Sequence, residues 1–307
     1  MRHAPADGAA LRRTLPATAA LLAATAVWGS TFIVTKDSLD ELDPASFLTW
    51  RFGIGAAALL LVRGATVVRL TRPELRRSAL LGVALAGGFL LQTSGLQHTL
   101  AGVSGFLTGA AVILTPVVDA LVFHEPVGRA GWAAVALSTV GIIALAGGVA
   151  VPSSLGTALT LGGAACFAVH ITGLSQWATR ENAFGLTALS VTVAALLCAA
   201  FALATGRGVT IPATATAWQS VLYLGVLATC VGFLVQAWAQ SALTATAAAV
   251  VMTMEPVFAA GLAAVVGETG LGRVGWAGGL LVLAGMALTE LGPRECCDAM
   301  APRVECC

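Results

Sequence analysis

Charged residues are scarce in this 307-residue chain: they make up 10% of the sequence, against 58% hydrophobic residues, and lysine occurs once, as Lys36. The mean hydropathy is +0.90. A soluble domain carries about 25% charged residues, so a chain this poor in charge cannot cover a water-facing surface. We therefore predict an integral membrane protein whose main partner is the lipid bilayer, and we expect no nucleic acid to bind.

Three motifs of enzyme and pump sites are missing from the sequence. It contains no GxxxxGK[ST] nucleotide-binding loop, no GxSxG nucleophile turn and no HExxH metal-binding helix. ATP-driven pumping and hydrolysis therefore have no support. We predict that the protein is not an enzyme and uses no cofactor. Any transport would be secondary, driven by a gradient, by exchange or by the solute itself.

The seven cysteines do not form the pattern of a disulfide-stapled secreted fold. Cys166, Cys198 and Cys230 lie inside apolar runs, and we interpret them as small packing residues. The other four stand in the last twelve residues, where the motif ECC occurs at 295–297 and again at 305–307. Thiolates and carboxylates can bind a soft metal, so a metal exporter or sensor is one alternative. We favour an extension without a metal site.

Long apolar runs occupy most of the chain. A bilayer core of about 30 Å needs roughly 20 apolar residues per helix. This rule predicts ten membrane-spanning helices joined by short connections, so the predicted fold class is an all-α integral membrane protein. The predicted spans are 15–35, 45–62, 78–97, 102–123, 130–150, 154–176, 184–205, 216–238, 245–266 and 273–291.

The arginines are distributed unevenly among the connections. Residues 1–14 carry three arginines and residues 63–77 carry five, whereas residues 37–43 carry four acidic residues. Because positively charged loops stay in the cytoplasm, the first two segments are predicted to lie inside and the third outside. Ten helices return the chain to the side where it began. We predict a multi-pass protein of the cytoplasmic membrane with both termini in the cytoplasm.

An internal repeat divides the chain into two halves. The sequence GRAGWA at 128–133 returns as GRVGWA at 272–277. Each half contains five predicted helices, and an odd number means that the second half enters the membrane from the opposite side. We therefore predict two inverted five-helix repeats. The predicted division is a cytoplasmic tail at 1–14, a first repeat at 15–150, a second repeat at 154–292 and a cytoplasmic Cys-rich tail at 293–307.

Several predicted spans carry short motifs, which in chain order are Trp28-Gly29-Ser30 with Phe32 and Lys36, Arg51-Phe52, Gly95-Leu96-Gln97, Glu255-Pro256-Val257 and Gly267-Glu268. Taken in this order, the motifs resemble those of the EamA-type transporters of the drug/metabolite transporter superfamily. The resemblance covers about residues 16–292 and implies a ten-helix bundle with a central cavity and alternating access, which usually exports small metabolites.

This resemblance, with the lack of enzyme motifs, predicts a secondary transporter that exports amino acids, related solutes or drugs across the inner membrane. Its partners would be a small-molecule substrate and, as an open choice, a proton or an exchanged solute. The oligomeric state is not predicted. A second alternative is an intramembrane enzyme acting on lipid-linked substrates. Such an enzyme would need acids, histidines or lysines clustered at one interface, whereas the acids here are dispersed.

Glu255 and Pro256 are the leading candidates for the functional site. A carboxylate is costly at bilayer depth unless it faces a partner or a wet cavity, and proline interrupts a helix. Pro116 holds the corresponding place in the first half, and two interrupted segments at matching places indicate a transporter's binding region. Glu255 is interpreted either as a coupling carboxylate or as a structural or gating group. Arg51 is expected to pair with Glu255 or to bind a substrate carboxylate.

Other candidates are polar or aromatic side chains within the predicted spans or close to their ends, where they can offer hydrogen bonds or flat faces to a solute. For each of them, helix packing or a place at the interface is the competing interpretation. Glycine and alanine at the spacings Gly53/Ala57 and Gly275/Gly279 are predicted to let helices approach closely. The further candidates for substrate contact or coupling are Trp28, Gln92, His170, Gln236, Trp238 and Asp119.

Overall fold

The computed structural model describes residues 7–122, 129–148, 153–179, 181–206, 208–242, 251–252, 254–267 and 272–291. All regular secondary structure in these residues is helical. The helices are α1 Asp7–Ser38, α2 Pro44–Arg63, α3 Ala65–Val68, α4 Arg72–Leu96, α5 Ala101–Val122, α6 Arg129–Gly148, α7 Ser154–Trp177, α8 Ala183–Ala204, α9 Ala215–Leu222, a π-helix Tyr223–Val231, α10 Gly232–Ala242, α11 Glu255–Val265 and α12 Arg273–Leu291.

Each predicted span overlaps one of these helices, and α9, the π-helix and α10 form one continuous run. Six of the described helices are long and apolar enough to cross a membrane, whereas three further apolar stretches are shorter. The protein is therefore a multi-pass membrane protein, and the number of ten spans remains a proposal. The six are Leu15–Ser38, Pro44–Arg63, Arg72–Leu96, Ser154–Leu174, Ala183–Ala204 and Ala215–Gln236.

Local sequence signals explain where several helices begin. Asp43 caps α2 by accepting hydrogen bonds from the backbone N–H groups of Ala45 and Ser46, both at 3.1 Å, and Pro44 occupies the first turn. Thr214 caps α9 by accepting from Ala217 N at 3.1 Å. These side chains satisfy N–H groups that a helix start leaves without partners.

Glycines allow some helices to approach closely. A Cβ atom on Gly141 would lie 2.7 Å from the carbonyl oxygen of Gly278, so α6 and α12 touch along their backbones. Gly279 also faces a neighbour, because a Cβ there would lie 2.8 Å from Phe106 Cζ. The prediction for Gly53 is wrong, since no heavy atom lies within 4 Å of a Cβ built on it. Gly55 makes the close contact on that helix instead, because the two residues point to different faces of α2.

Helix packing follows the sequence repeat. The repeat pairs α2 with α8, α5 with α11 and α6 with α12, and each of these pairs is in contact. Other contacts also occur in equivalent pairs, because the repeat relates α1 to α7, α4 to the α9–α10 run and α5 to α11. Helix α4 packs on α7, and the α9–α10 run packs on α1 in the equivalent way. Likewise α5 packs on α7, and α11 packs on α1. Exchanging the two halves therefore leaves the main packing pattern unchanged.

The paired helices α2 and α8 run in opposite directions. Near the end of α2, the Arg63 guanidinium lies 5.8 Å from the ring centre of Phe184, which is near the start of α8. At the start of α2, Ser46 Oγ accepts a hydrogen bond of 2.9 Å from Thr210 N, just beyond the end of α8. The bundle therefore has one end formed by residues 39–46 and 208–214 and another formed by residues 63–74, 177–179 and 181–184.

Candidate functional site

Arg51 is a buried cation on α2, with 4% of its surface exposed. Its Nε donates to Thr229 Oγ1 at 3.4 Å, and its Cζ lies 4.6 Å from the ring centre of Phe89 and 5.6 Å from that of Phe52. Aromatic faces attract a guanidinium at these distances. The other N–H groups of Arg51 have no hydrogen-bond acceptor among the described residues.

The partner Thr229 lies in the π-helix, a nine-residue segment in the middle of the eighth predicted span. Such segments are rare and often occur at functional sites. Two glycines bring α2 against it: a Cβ on Gly55 would lie 2.5 Å from Thr229 Cγ2, and one on Gly225 would lie 2.9 Å from the Arg51 carbonyl oxygen. The absence of side chains at these positions lets the π-helix present Thr229 to Arg51.

Trp28 fixes the same segment from the side of α1. Its indole Nε1 donates to the carbonyl oxygen of Ala228 at 2.8 Å, and the ring is buried. A Cβ on Gly232 would lie 2.7 Å from this nitrogen, so only glycine leaves room for the indole there. The neighbouring Ser30 hydroxyl lies 2.7 Å from the Tyr223 hydroxyl, within hydrogen-bonding distance. The indole N–H is thus already hydrogen-bonded within the protein, so Trp28 positions the π-helix beside Arg51.

Glu255 is the first residue of α11, and Pro256 follows in the first turn. Proline is favoured there because it lacks the N–H that a helix start leaves without a partner. The Glu255 side chain is half-buried, and its charge interacts electrostatically with that of Arg51. Within the described part of the chain, the two residues form no ion pair within 4.0 Å. The carboxylate and the guanidinium are therefore not in direct contact.

The backbone is helical on both sides of Pro116. Helix α5 runs from Ala101 to Val122 without an end at this residue. Thr115 Oγ1 donates to the carbonyl oxygen of Ala111 at 2.9 Å, a local bond that accompanies a bend in a helix. Proline in a membrane helix removes one backbone bond and the helix can continue. The interruption expected at Pro116 stays a prediction, and the side chains of Pro116 and Asp119 lie outside the described side chains.

The remaining candidates occupy contacts between helices or the protein surface. Gln92 Nε2 donates to Thr108 Oγ1 at 2.8 Å, and His170 Nδ1 donates to the Leu81 carbonyl oxygen at 2.9 Å. Gln236 Nε2 donates to the sulfur of Met252 at 3.8 Å. Gln92 is nevertheless close to the site, because it lies one turn after the aromatic neighbour of Arg51 on α4.

Trp238 has 51% of its surface exposed, so it lies at the periphery of the bundle. Within the described ranges, no three His, Cys, Asp or Glu side chains gather closely enough to hold a metal ion. Residues 292–307, which include the two ECC motifs, lie outside the described residues.

Phe89, Thr229 and Tyr223 were not among the candidates, although they surround Arg51 or anchor the π-helix. Phe89 stacks edge-on against Phe52 and against Phe167, with ring centres 4.9 Å apart in both pairs. The aromatic cluster of Phe52, Phe89 and Phe167 therefore forms an apolar wall beside the cation. The sequence gives one signal for this cluster, which is a phenylalanine in each of three separate apolar spans. Phenylalanines are common in helix packing, so this signal does not distinguish a site.

Polar contacts connect the two halves of the chain at both ends of the bundle. At one end Glu41 accepts hydrogen bonds from Thr214 Oγ1 at 2.6 Å, from Thr214 N at 3.1 Å and from Ala213 N. We call this the 41–214 junction. The hydrogen bond from Thr214, and then that from Ala213, holds the pKa of Glu41 below its ordinary value. The junction ties the α1–α2 connection to the start of α9.

The second contact, the 74–182 junction, lies at the other end. Asn182 Nδ2 donates to Glu74 Oε1 at 2.6 Å. Glu74 Oε2 accepts from Thr71 N at 2.8 Å and from Thr71 Oγ1 at 2.7 Å. Thr71 and Thr214 stand just before α4 and α9, the third helices of the two halves. At each end, therefore, a carboxylate holds the corresponding threonine and joins one half of the chain to the other.

Comparisons with known proteins agree with this architecture. The EamA-like transporter family matches the chain twice, over residues 15–147 and 154–291. A curated protein of Archaeoglobus fulgidus described as an uncharacterized transporter is 29% identical over 266 residues, 86% of this chain and 82% of that protein. One solved crystal structure covers 90% of this chain and 96% of its own, with a TM-score of 0.65 and 18% identity, which shows the fold alone.

The helical membrane fold and these matches define a membrane transporter rather than an enzyme. More specifically, because the family match extends over most of the sequence, the chain belongs to the EamA-like transporter family.

Proposed function

We propose that this protein is a secondary transporter with ten membrane-spanning helices in two inverted five-helix repeats, residues 15–150 and 154–292. It would export small metabolites, such as amino acids, related solutes or drugs, across the cytoplasmic membrane, with the tails 1–14 and 293–307 in the cytoplasm. The antiparallel course of α2 and α8 and the matched packing of the two halves support the inverted repeat.

The observation that carries the proposed function is the incompletely satisfied cation Arg51. Burying a charge in a membrane protein is costly, so such residues usually mark a pathway or a binding site. Arg51 uses one of its five N–H donors on Thr229 and rests against aromatic rings. Its planar fork suits a carboxylate, and the aromatic cluster suits an apolar portion of the same solute. Glu255 then offers a second group for a cationic part of the solute or for a proton.

Alternating access needs a barrier at each end of the bundle that can open separately. The 41–214 and 74–182 junctions have the required position, because each joins the two halves at one end. Both consist of hydrogen bonds to a carboxylate, which water can replace when the halves separate. We propose that the two junctions break in turn during the transport cycle.

The experiment is a transport assay on the purified full chain in proteoliposomes, preceded by a thermal-shift screen of amino acids, amines, sugars, nucleosides and drugs. A bound solute raises the apparent melting temperature. For a solute with a carboxylate, Arg51→Gln should abolish both the thermal shift and uptake, whereas the exposed Arg273→Gln should leave both unchanged. Equal behaviour of the two folded variants would contradict the role of Arg51.

Proton coupling is tested separately. In Glu255→Gln, transport that depends on a pH gradient should disappear while solute counterflow without a gradient continues. If uptake in this variant still depends on the pH gradient, Glu255 is not the proton-coupling group. Solute binding lost together with coupling would assign Glu255 to the substrate itself.

A further inference from the structure

A basic pocket lies on the surface of α4 at the end of the bundle that contains the 74–182 junction. It has a volume of about 490 Å³ and is lined by Arg72, Pro73, Arg76, Arg77 and Leu80. Residues spaced by four share one face of a helix, which places 72, 76 and 80 in a row and 73 and 77 beside them. The pocket therefore brings three guanidinium groups to one side of a helix where it enters the apolar part of the protein.

Among the described residues, none of these arginines forms an ion pair within 4.0 Å with an acid, although Glu74 interacts electrostatically with Arg77. Arg72 and Arg76 are exposed, and Arg77 lies with its Cζ 5.7 Å from the ring centre of Trp177. The one acid in the same turn, Glu74, directs its oxygens to Thr71 and to the other half of the chain. Glu74 also accepts the hydrogen bond from the backbone N–H of Thr71 at the start of α4. An anion at this pocket would therefore be bound by the arginine side chains.

The surface next to the pocket is apolar and exposed. Leu80 has 51% of its surface exposed, and Val83, almost one turn further along α4, has 54%. In a membrane-spanning helix such residues face the acyl chains of lipids. The pocket thus joins a site for an anion to a surface for a hydrocarbon chain. A soluble anion would use only the first of these features, whereas an amphipathic anion would use both.

We propose that this pocket binds an anionic phospholipid of the adjoining leaflet. Arg72 and Arg76 hold the phosphodiester, for which the planar guanidinium provides paired donors. Arg77 contributes charge from its place over Trp177, and one acyl chain lies along Leu80 and Val83. The arginine-rich connection is expected on the cytoplasmic side, where anionic lipids attract basic residues.

The test is binding of a short-chain phosphatidylglycerol to the purified full chain. Binding is measured as the rise in melting temperature that the lipid causes. Phosphatidylcholine of the same chain length and inorganic phosphate are the comparison ligands. Arg72→Gln/Arg76→Gln should weaken phosphatidylglycerol binding about fivefold for each arginine, hence roughly 25-fold in total. Arg63→Gln/Arg69→Gln removes the same charge from the same connection outside the pocket and should leave the affinity unchanged.

A second variant tests the apolar part of the site. Leu80→Gln keeps all charges and should weaken phosphatidylglycerol binding without creating a response to phosphate. If Arg72→Gln/Arg76→Gln and Arg63→Gln/Arg69→Gln lose the same affinity for phosphatidylglycerol, the effect is one of diffuse charge, and the proposed pocket is overturned. A response to inorganic phosphate that matches phosphatidylglycerol would assign the site to a soluble anion, and a matching response to phosphatidylcholine would remove the role of charge. Solute transport does not enter the readout, so a failure here leaves the proposed function untouched.

Discussion

Replacing Gly29 by alanine should destabilise the protein by about 1 to 3 kcal/mol, because the added methyl group has no space. Its Cβ would lie 2.6 Å from Phe258 Cβ and 2.9 Å from Ala259 N. The first atom is bonded directly to the backbone and the second belongs to it, so neither can move aside by rotation of a side chain. Helices α1 and α11 would have to separate.

Gly53→Ala is the matched control for this substitution. Both glycines lie within helices, so each alanine gains similar helix propensity, up to about 1 kcal/mol. No heavy atom lies within 4 Å of a Cβ on Gly53, so the control gains propensity without a clash. The difference in stability between the two variants therefore isolates the contact between α1 and α11.

The assay is thermal unfolding of both purified variants in the same detergent, together with transport in proteoliposomes. We expect a melting temperature several degrees lower for Gly29→Ala than for Gly53→Ala. A Cβ on Gly29 would also lie 3.1 Å from the Glu255 carbonyl oxygen, so transport should fall in the same variant. Identical melting temperatures for the two variants would refute the close approach of these helices.

Three further results are expected. Trp28→Phe leaves a π-helix carbonyl without its donor and should cost about 0.6 to 1.7 kcal/mol in thermal unfolding, while Trp132→Phe at the exposed surface should cost less; equal losses would argue against the indole bond. Arg51→Gln and Glu255→Gln should lose less stability together than the sum of the single losses, and additive losses in the double-mutant cycle would contradict their interaction. Since hydrogen bonds lower the pKa of Glu41, its contribution to stability is present above the ordinary value of 4.5 and is lost as the pH falls through its folded-state pKa. Unfolding profiles of the wild type and Glu41→Gln should therefore converge in acid, and a constant difference below pH 4.5 would exclude this role.

The family and the approximate helix positions could be predicted from the sequence because both depend on local or ordered signals. Apolar runs of membrane length between polar connections indicate helices wherever they occur. The order of short motifs then indicates the family, and the match over 15–147 and 154–291 confirms it. The motif Trp28-Gly29-Ser30 illustrates the limit of such signals. It could be recognised, but the separate contacts of its three residues with the π-helix and α11 could not.

The surroundings of Arg51 could not be predicted because they depend on contacts between distant parts of the chain. Thr229 follows Arg51 by 178 residues, and no periodicity in the sequence indicates that the intervening segment forms a π-helix. Phe89 resembles any other phenylalanine in an apolar span. Pro116 and Pro256 show the same limit: the residue type is identical, but one lies within a continuing helix and the other in a first turn.

The two junctions hold the halves together unequally, and this difference has a consequence for transport. At the 41–214 junction, all three hydrogen bonds to the Glu41 carboxylate cross between the halves. At the 74–182 junction, Glu74 accepts two hydrogen bonds from Thr71 at the start of its own helix. A single hydrogen bond, from Asn182, connects the two halves there. Because fewer bonds cross at the second junction, separating the halves there breaks fewer hydrogen bonds. In the proposed transport cycle, we therefore expect the end of the bundle that carries the arginine-rich connection to open first in the empty protein.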